Sequence, residues 1–319
     1  MKTFRKNLAS LGIVVVFVFM VIYFSLSSRS FLRMENMINV LRQVVTTGVI
    51  AVGVAMVIIT GNIDLSSGSI VGLCAVSAAW LMIAGVHPVL ASIIVMCLGV
   101  LCGLLNGLFV AKIKLPAFVV TLATQIIFRG LTFILTGGLA IYGFTPKFKV
   151  LGQGYLGPIP IPVIIMAIIF FLGYILTEKT KYGRYIYGIG GNEEAARLSG
   201  ISPDKIKLMV FAISGVLGAL AGLIVLSRVN SGNPNLGLGY ETDIISACVI
   251  GGVSITGGKG RITGVIVGVL FLGVLTNGLI LLNVNEFVQM VVKGTVLLFA
   301  VSFDVASQRQ RQQMIVVAE

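Results

Sequence analysis

The chain has 319 residues, of which 57% are hydrophobic and 11% charged, and its 23 Lys and Arg against 11 Asp and Glu give a net charge of +12. A soluble domain carries roughly a quarter of its residues as charged side chains, so a globule covered by water is excluded. The apolar residues lie in continuous runs near the ~20 residues that cross a hydrocarbon core. Short alternating segments, the mark of a barrel, are not the pattern, which leaves an all-α, polytopic integral membrane helical bundle with backbone groups satisfied within each helix.

Breaking the runs at charge, Pro and Gly predicts about ten transmembrane helices, near residues 8–24, 44–60, 66–84, 88–111, 116–136, 160–177, 206–227, 243–258, 262–283 and 286–304; the eighth, short and Gly-rich, reads either as a full span or as re-entrant. The first follows Lys2, Arg5 and Lys6 and precedes Ser25-Leu26-Ser27, as a signal peptide would. Its apolar stretch outruns the roughly 7–15 residues of such a region, so it is read as an uncleaved helix. The second and third spans are separated by GNIDLSSGSIVG, residues 61–72. Asp64 or Ser66 there suits the exposed amides and positive end of the next helix. Gly68 and Gly72 allow a close neighbour, as do Gly99, Gly103 and Gly107 at GxxxG spacing in the fourth span. The expectation is a capped, tightly packed hairpin at the cytoplasmic end, rather than an ion site.

Polar residues inside the apolar runs are the candidates for a solute path: Asn106, Gln125, Arg129, Thr132 and Asn277. They can hydrogen-bond a hydroxyl-rich solute, and they can equally bond one another between helices. Arg129 and Lys293 lie in mid-span, where a charge is costly and faces the bundle interior; Asp304, on the same span as Lys293, is too far along to pair with it. The Asp and Glu residues otherwise sit at span ends or in loops, which leaves no acidic proton or sodium site within the spans. Cys74, Cys97, Cys102 and Cys248 fall within spans at spacings that suit neither zinc nor a disulfide framework, and read as small packing residues. The lone His87, in a short turn, is no metal site.

Between the sixth and seventh spans, residues 177–207 form the largest polar segment. Its core NEEAARLSGI predicts a short helix, with Asn192 as N-cap, Glu193 and Glu194 in the first turn, Ala195, Ala196 and Leu198 packing, and Gly200 as the stop. Flanked by Gly191 and facing water, it reads as a docking element, the plain alternative being a loop helix on the bilayer surface. Arg197 completes it. Residues 228–243, RVNSGNPNLGLGYETD, form a polar outer loop that includes Glu241 and Asp243. Most Lys and Arg collect on the side holding both termini, which the positive-inside rule makes cytoplasmic; Arg29, Arg33 and Arg42 in the first outer loop run against it. The net charge is therefore topology and lipid-headgroup contact, not nucleic-acid binding. A repeat is also visible: Thr60-Gly61, Gly68 and Gly72 recur as Thr256-Gly257, Gly264 and Gly268 (256 − 60 = 196). An even number of crossings separates the copies, so the repeat is parallel, one of the arrangements transporters use.

GNIDLSSGS resembles the Gly-Gly-Ile-Asp-Leu-Ser motif of the permease subunits of bacterial sugar ABC importers, in the ribose/xylose/arabinose and autoinducer-2 branch, with Asn62 where Gly is usual. TKYGRYIYGIGGNEEAARLSGI resembles that family's cytoplasmic coupling segment. LPAFVVTLATQIIFRGLTFILTGG, GYETDIISACVIGG, ITGGKGRITG and NGLILL resemble family stretches in the same order, from about residue 36 to 304, closest to ribose-type permeases. The resemblance implies a single transmembrane permease domain over residues 1–319, with a coupling segment at about 178–206 and a basic cytoplasmic tail at 305–319, in the bacterial inner membrane. It also implies an ATP-binding subunit carrying ATP and magnesium, a sugar-binding protein, and a second permease copy or paralogue. The chain itself has no Walker A loop: in TGGKGRI, Gly260 follows Lys259 and Val253 stands where the first Gly belongs. Two other readings stay open, a branched-chain amino acid-type permease and a self-sufficient secondary transporter or channel.

Overall fold

The structure is a computed structural model that describes residues 2–144 and 146–316, with side chains for 15–144, 148–302 and 305. Asp304, the terminal basic residues before 15 and the tail from 306 onward lie outside the described side chains. In chain order the elements are α1 (Lys2–Ser27), α2 (Met34–Ile59), α3 (Ser67–Ile83), α4 (Pro88–Ala111), α5 (Ala117–Thr136), α6 (Pro146–Gln153), β1 (Tyr155–Leu156) and β2 (Ile159–Pro160). They continue with α7 (Ile161–Tyr174), drawn out by a π-turn over Ile175–Lys179, then α8 (Lys181–Gly191), α9 (Glu193–Leu198), α10 (Pro203–Val229), α11 (Tyr240–Ile250), α12 (Ile262–Leu281) and α13 (Glu286–Val316). The two short strands pair antiparallel.

Six helices among the described residues are long and apolar enough to cross a membrane: α2, α4, α5, α7 with its π-turn, α10 and α12. α3 and the described part of α1 are shorter apolar helices. The fold is thus all-α and polytopic. Of the two readings of the eighth segment, full span or re-entrant, the structure favours the second, because α11 has only 11 residues, about 16 Å at ~1.5 Å per residue, roughly half a hydrocarbon core. It unwinds at Gly251 and Gly252, the latter with φ +86°, and residues 251–261 form an irregular turn before α12. α2 begins ten residues before the predicted span (44 − 34 = 10), because Glu35 and Arg42 interrupt an apolar window without interrupting a helix.

α2 and α10 form the centre: 83% and 67% of their apolar windows are buried, against 28% for α4, α5 and α7. α10 packs along α4, α2 and α3. At the α4–α10 crossing the two backbones touch; a Cβ on Gly103 would meet the carbonyl of Phe211, and one on Gly215 would meet the carbonyl of Gly99. The outer helices turn Leu101, Ile126, Ile134 and Phe171 outward, as lipid-facing or subunit-facing surfaces do. Cys97 faces outward too, whereas Cys74, Cys102 and Cys248 are buried packing residues.

Two helices start inside the bundle. After α2 the chain runs without helix through residues 61–66, and Asp64 reaches Ser214 on α10, eleven residues from that helix's start (214 − 203 = 11). On the other side, residues 230–239 drop inward from α10, and Glu241 meets Gln125, eleven residues from the end of α5 (136 − 125 = 11). Each depth is about 16 Å. The first turns of α3 and α11 therefore adjoin, with Gly68 against both the Glu241 carboxylate and the Gly237 carbonyl, and the two helices leave this point in opposite directions.

Candidate functional site

One end of the bundle carries α8 and α9. As the sequence predicts, the Asn192 side chain accepts the Ala195 amide at 2.9 Å, Glu193 and Glu194 occupy the first turn, and Gly200 stops the helix at φ +82°. Arg197 pairs with both Glu193 and Glu194 at 3.4 Å. The packing expectation needs correction: only Ala196 is buried, while Ala195 is exposed and Leu198 is 83% exposed. A six-residue helix can turn little more than one side chain inward. α8 was missed because four glycines in KYGRYIYGIGG read as loop; it folds because Ile186 and Ile189 bury one face.

The platform under α9 is tied into the bundle. Lys207 of α10, itself buried, donates to Glu193 at 2.6 Å. Lys114 pairs with Asp204 close by. A cleft of about 450 Å³ opens beside this pair, lined by Asn62, Val110, Pro116, Phe118, Glu193 and Lys207. Tyr187 of α8 donates to the Gly260 carbonyl at 2.9 Å, and burial pushes its phenol up to about 12, so it remains a donor at physiological pH. Backbone meets backbone where Gly258 donates to Ile59 at 2.8 Å, Gly190 abuts that same Ile59 carbonyl, and Gly257 abuts Gly61. Gly264, at the start of α12, lies against the Gly251 carbonyl.

Asp64 is not at a bundle end, as the capped-hairpin expectation had it, but 1% exposed within the interior. One carboxylate oxygen accepts the Ser66 amide at 3.0 Å and the Ser66 hydroxyl at 2.6 Å; the other accepts Ser214 at 2.9 Å. The Ser66 oxygen in turn accepts Asn106 at 2.7 Å, and the Asn106 carbonyl accepts Thr124 at 2.7 Å. Every donor in the series Thr124–Asn106–Ser66 points toward the carboxylate, so the chain of bonds ends on the one group that can only accept. Asn106 is fully buried, its amide and carbonyl engaged within this network.

The remaining polar candidates separate. Gln125 donates to Glu241 at 3.0 Å. Arg129 donates to the carbonyls of Pro234 and Leu236 at 2.8 Å each, and so holds the inward-dropping segment before α11. Thr132 is buried and bonds back to Phe128 in its own helix. Asn277 exchanges reciprocal 2.9 Å bonds with Asn36, stitching α12 to α2. Lys293 finds its partner in Asp243 at 2.9 Å, an ion pair between α13 and α11. Sequence reading placed Glu241 and Asp243 in an outer loop and found no acidic group within the membrane. The structure puts both side chains against helix interiors, and the brevity of α11 was the signal for it.

Known proteins cover nearly all of this chain. It is 46% identical to the ribose import permease protein RbsC of Bacillus subtilis (strain 168) over 89% of both chains. It is 40% identical to RbsC of Escherichia coli (strain K12) over 94% of this chain and 93% of that one, and 35% identical to the xylose transport system permease protein XylH of Haemophilus influenzae over 93% and 96%. No solved structure gives a significant match. The family model described as branched-chain amino acid transport system / permease component matches residues 36–301, and the chain belongs to that family of membrane permeases.

Proposed function

We propose that this chain is the membrane-spanning permease subunit of an ABC importer that moves ribose or a closely related monosaccharide across the inner membrane. ATP is hydrolysed on a separate subunit, and a sugar-binding protein delivers the solute. The observation that carries this is the 46% identity with a ribose import permease over 89% of the chain. α9 is the element that docks the ATP-binding subunit. Leu198 offers an exposed apolar side chain beside Arg197 and Glu194 on a helix with capped ends, which suits a protein partner better than open water. This orientation makes the α8–α9 end cytoplasmic and both termini cytoplasmic. A second permease copy or paralogue covers part of the outward apolar face, with lipid on the rest. The parallel repeat is supported by the contact of Gly61 with Gly257, which lie in its two ITG turns.

The test is ribose uptake by cells expressing this chain with its ATP-binding subunit and binding protein. Glu194→Lys combined with Arg197→Glu swaps the 194–197 pair and reverses its outward charges, while giving up the Arg197–Glu193 pair, a surface ion pair worth only ~0.3–0.5 kcal/mol. The variant is expected to lose at least tenfold in both uptake and recovery of the ATP-binding subunit, at unchanged permease levels in the membrane. Unaltered ATP-dependent uptake removes α9 as the docking element. Uptake by the permease alone removes the importer reading in favour of a secondary transporter. The family's description as a branched-chain amino acid transport permease favours a second reading, and leucine uptake in place of ribose uptake would establish it.

A further inference from the structure

We propose that Glu241, with the first turns of α3 and α11 and with Gln125 and Arg129, forms a hydroxyl-binding subsite about half-way through the membrane for a neutral, polyhydroxylated solute in transit. This rests on the transport reading above and names the residues that would meet the solute.

The two interrupted helices converge here. Neither N-cap position, Ser66 for α3 or Gly239 for α11, supplies a side-chain bond to its own helix. The first turn of a helix leaves amide donors without intrahelical partners and carries partial positive charge, so the junction is rich in donors. Glu241 is 9% exposed. One of its carboxylate oxygens takes the Gln125 amide, whereas the other is buried against Gly68 with no hydrogen-bond partner. The hydroxyls of Ser67 and Ser69, on the same first turn of α3, are also buried without partners. Five buried side-chain polar atoms among the described residues lack a partner, and three of the five, beside Thr46 and Asn230 elsewhere, sit on these two adjoining helix starts; since buried polar groups are normally paired, the concentration marks a place that another molecule fills.

The charges define what that molecule is. An anionic solute would meet the Glu241 carboxylate. A cation would meet two positive helix ends and Arg129. A hydroxyl suits both sides, because it donates to the carboxylate oxygen and accepts from an amide or guanidinium. Gln125 and Arg129 are only half-buried, on the flank of α5, which gives the subsite an approach from outside the protomer. Glu241 rides on α11, whose far end enters the 251–261 turn that touches α8 and Ile59. Movement at the docking end therefore reaches the subsite and can open or close it.

The experiment is uptake of radiolabelled D-ribose into proteoliposomes holding the whole complex, for wild type, Glu241→Gln and Ser67→Ala. Recovery of the ATP-binding subunit and the melting temperature are measured alongside. Glu241→Gln is expected to lower uptake at least tenfold, and Ser67→Ala about threefold, with subunit recovery held within twofold. Ser67→Ala removes a hydroxyl that has no partner in the protein, so a purely structural role predicts wild-type uptake and an equal or higher melting temperature. Wild-type uptake by both variants overturns the subsite. If Glu241→Gln fails to assemble, Ser67→Ala decides alone, and full uptake by it overturns the subsite. Wild-type complex that moves no ribose overturns instead the sugar reading on which the subsite rests.

Discussion

Gly103→Leu is expected to cut the folded permease recovered from membranes at least tenfold, seen as loss of the monodisperse peak of a fluorescent fusion on size-exclusion chromatography. Helices in lipid associate through close packing, for which small residues are required. At this crossing the obstacle to a side chain is the Phe211 carbonyl and the Ala212 backbone. Backbone cannot rotate aside, so a Leu forces α4 away from α10 along its length. Overpacked cores lose about 1–3 kcal/mol when side chains can adjust; a rigid obstacle puts this case at or above the upper end. The control is Gly130→Ala on α5, where nothing lies within 4 Å of the added carbon. That variant should be recovered at wild-type levels or better, since Ala favours a helix over Gly by ~1 kcal/mol. Normal recovery of Gly103→Leu would mean that α4 and α10 do not meet as described.

The second large effect belongs to Asp64. Asp64→Ala removes the acceptor for two hydroxyls and one amide inside the bundle. Hydrogen bonds between helices in a membrane average ~0.6 kcal/mol and reach ~1.7, while a buried donor left unpaired costs ~1–3 kcal/mol. With Ser66 and Ser214 both orphaned, the loss should be about 2–5 kcal/mol, and the melting temperature in detergent should fall by several degrees, up to about ten. Asp64→Asn keeps one acceptor oxygen and should fall between. Ser214→Ala, which leaves the Ser66 bonds in place, should cost the least. An Asp64→Ala protein that melts with wild type would show that the donor series does not depend on its terminal carboxylate.

The sequence exposed most of what obeys local rules. α4 was legible to the residue because His87-Pro88 opens it and Lys112 closes an unbroken apolar run, and α5 to within one residue. The cap of α9 followed from Asn192 alone. What failed depended on partners far along the chain. Asp64 does take the Ser66 amide at the start of α3, as expected of a cap, but its depth was missed because its other partner, Ser214, is 150 residues away. Asn106 and Thr124 gave no sign that they point at the same serine. Lys293 was left without a counter-ion because Asp243 had been assigned to an outer loop, fifty residues away in the chain, with no local sign that the two meet. Hydropathy measures how greasy a run is, not how deep the chain starts it.

At the α8–α9 end, the contacts among Gly190, Ile59, Gly258, Gly257 and Gly61 are made by main chain alone. Side-chain contacts give under load, since a rotamer change can absorb an ångström of travel. A joint built from bare peptide units has no such slack. A push on α8 therefore reaches the end of α2 and the turn before α12 as nearly the same displacement, in the same instant, with little lost to heat in rearranging side chains. Enlarging any one of these glycines would consequently jam or loosen the joint between α8, the end of α2 and the turn before α12, with the proposed docking helix and solute path each still intact.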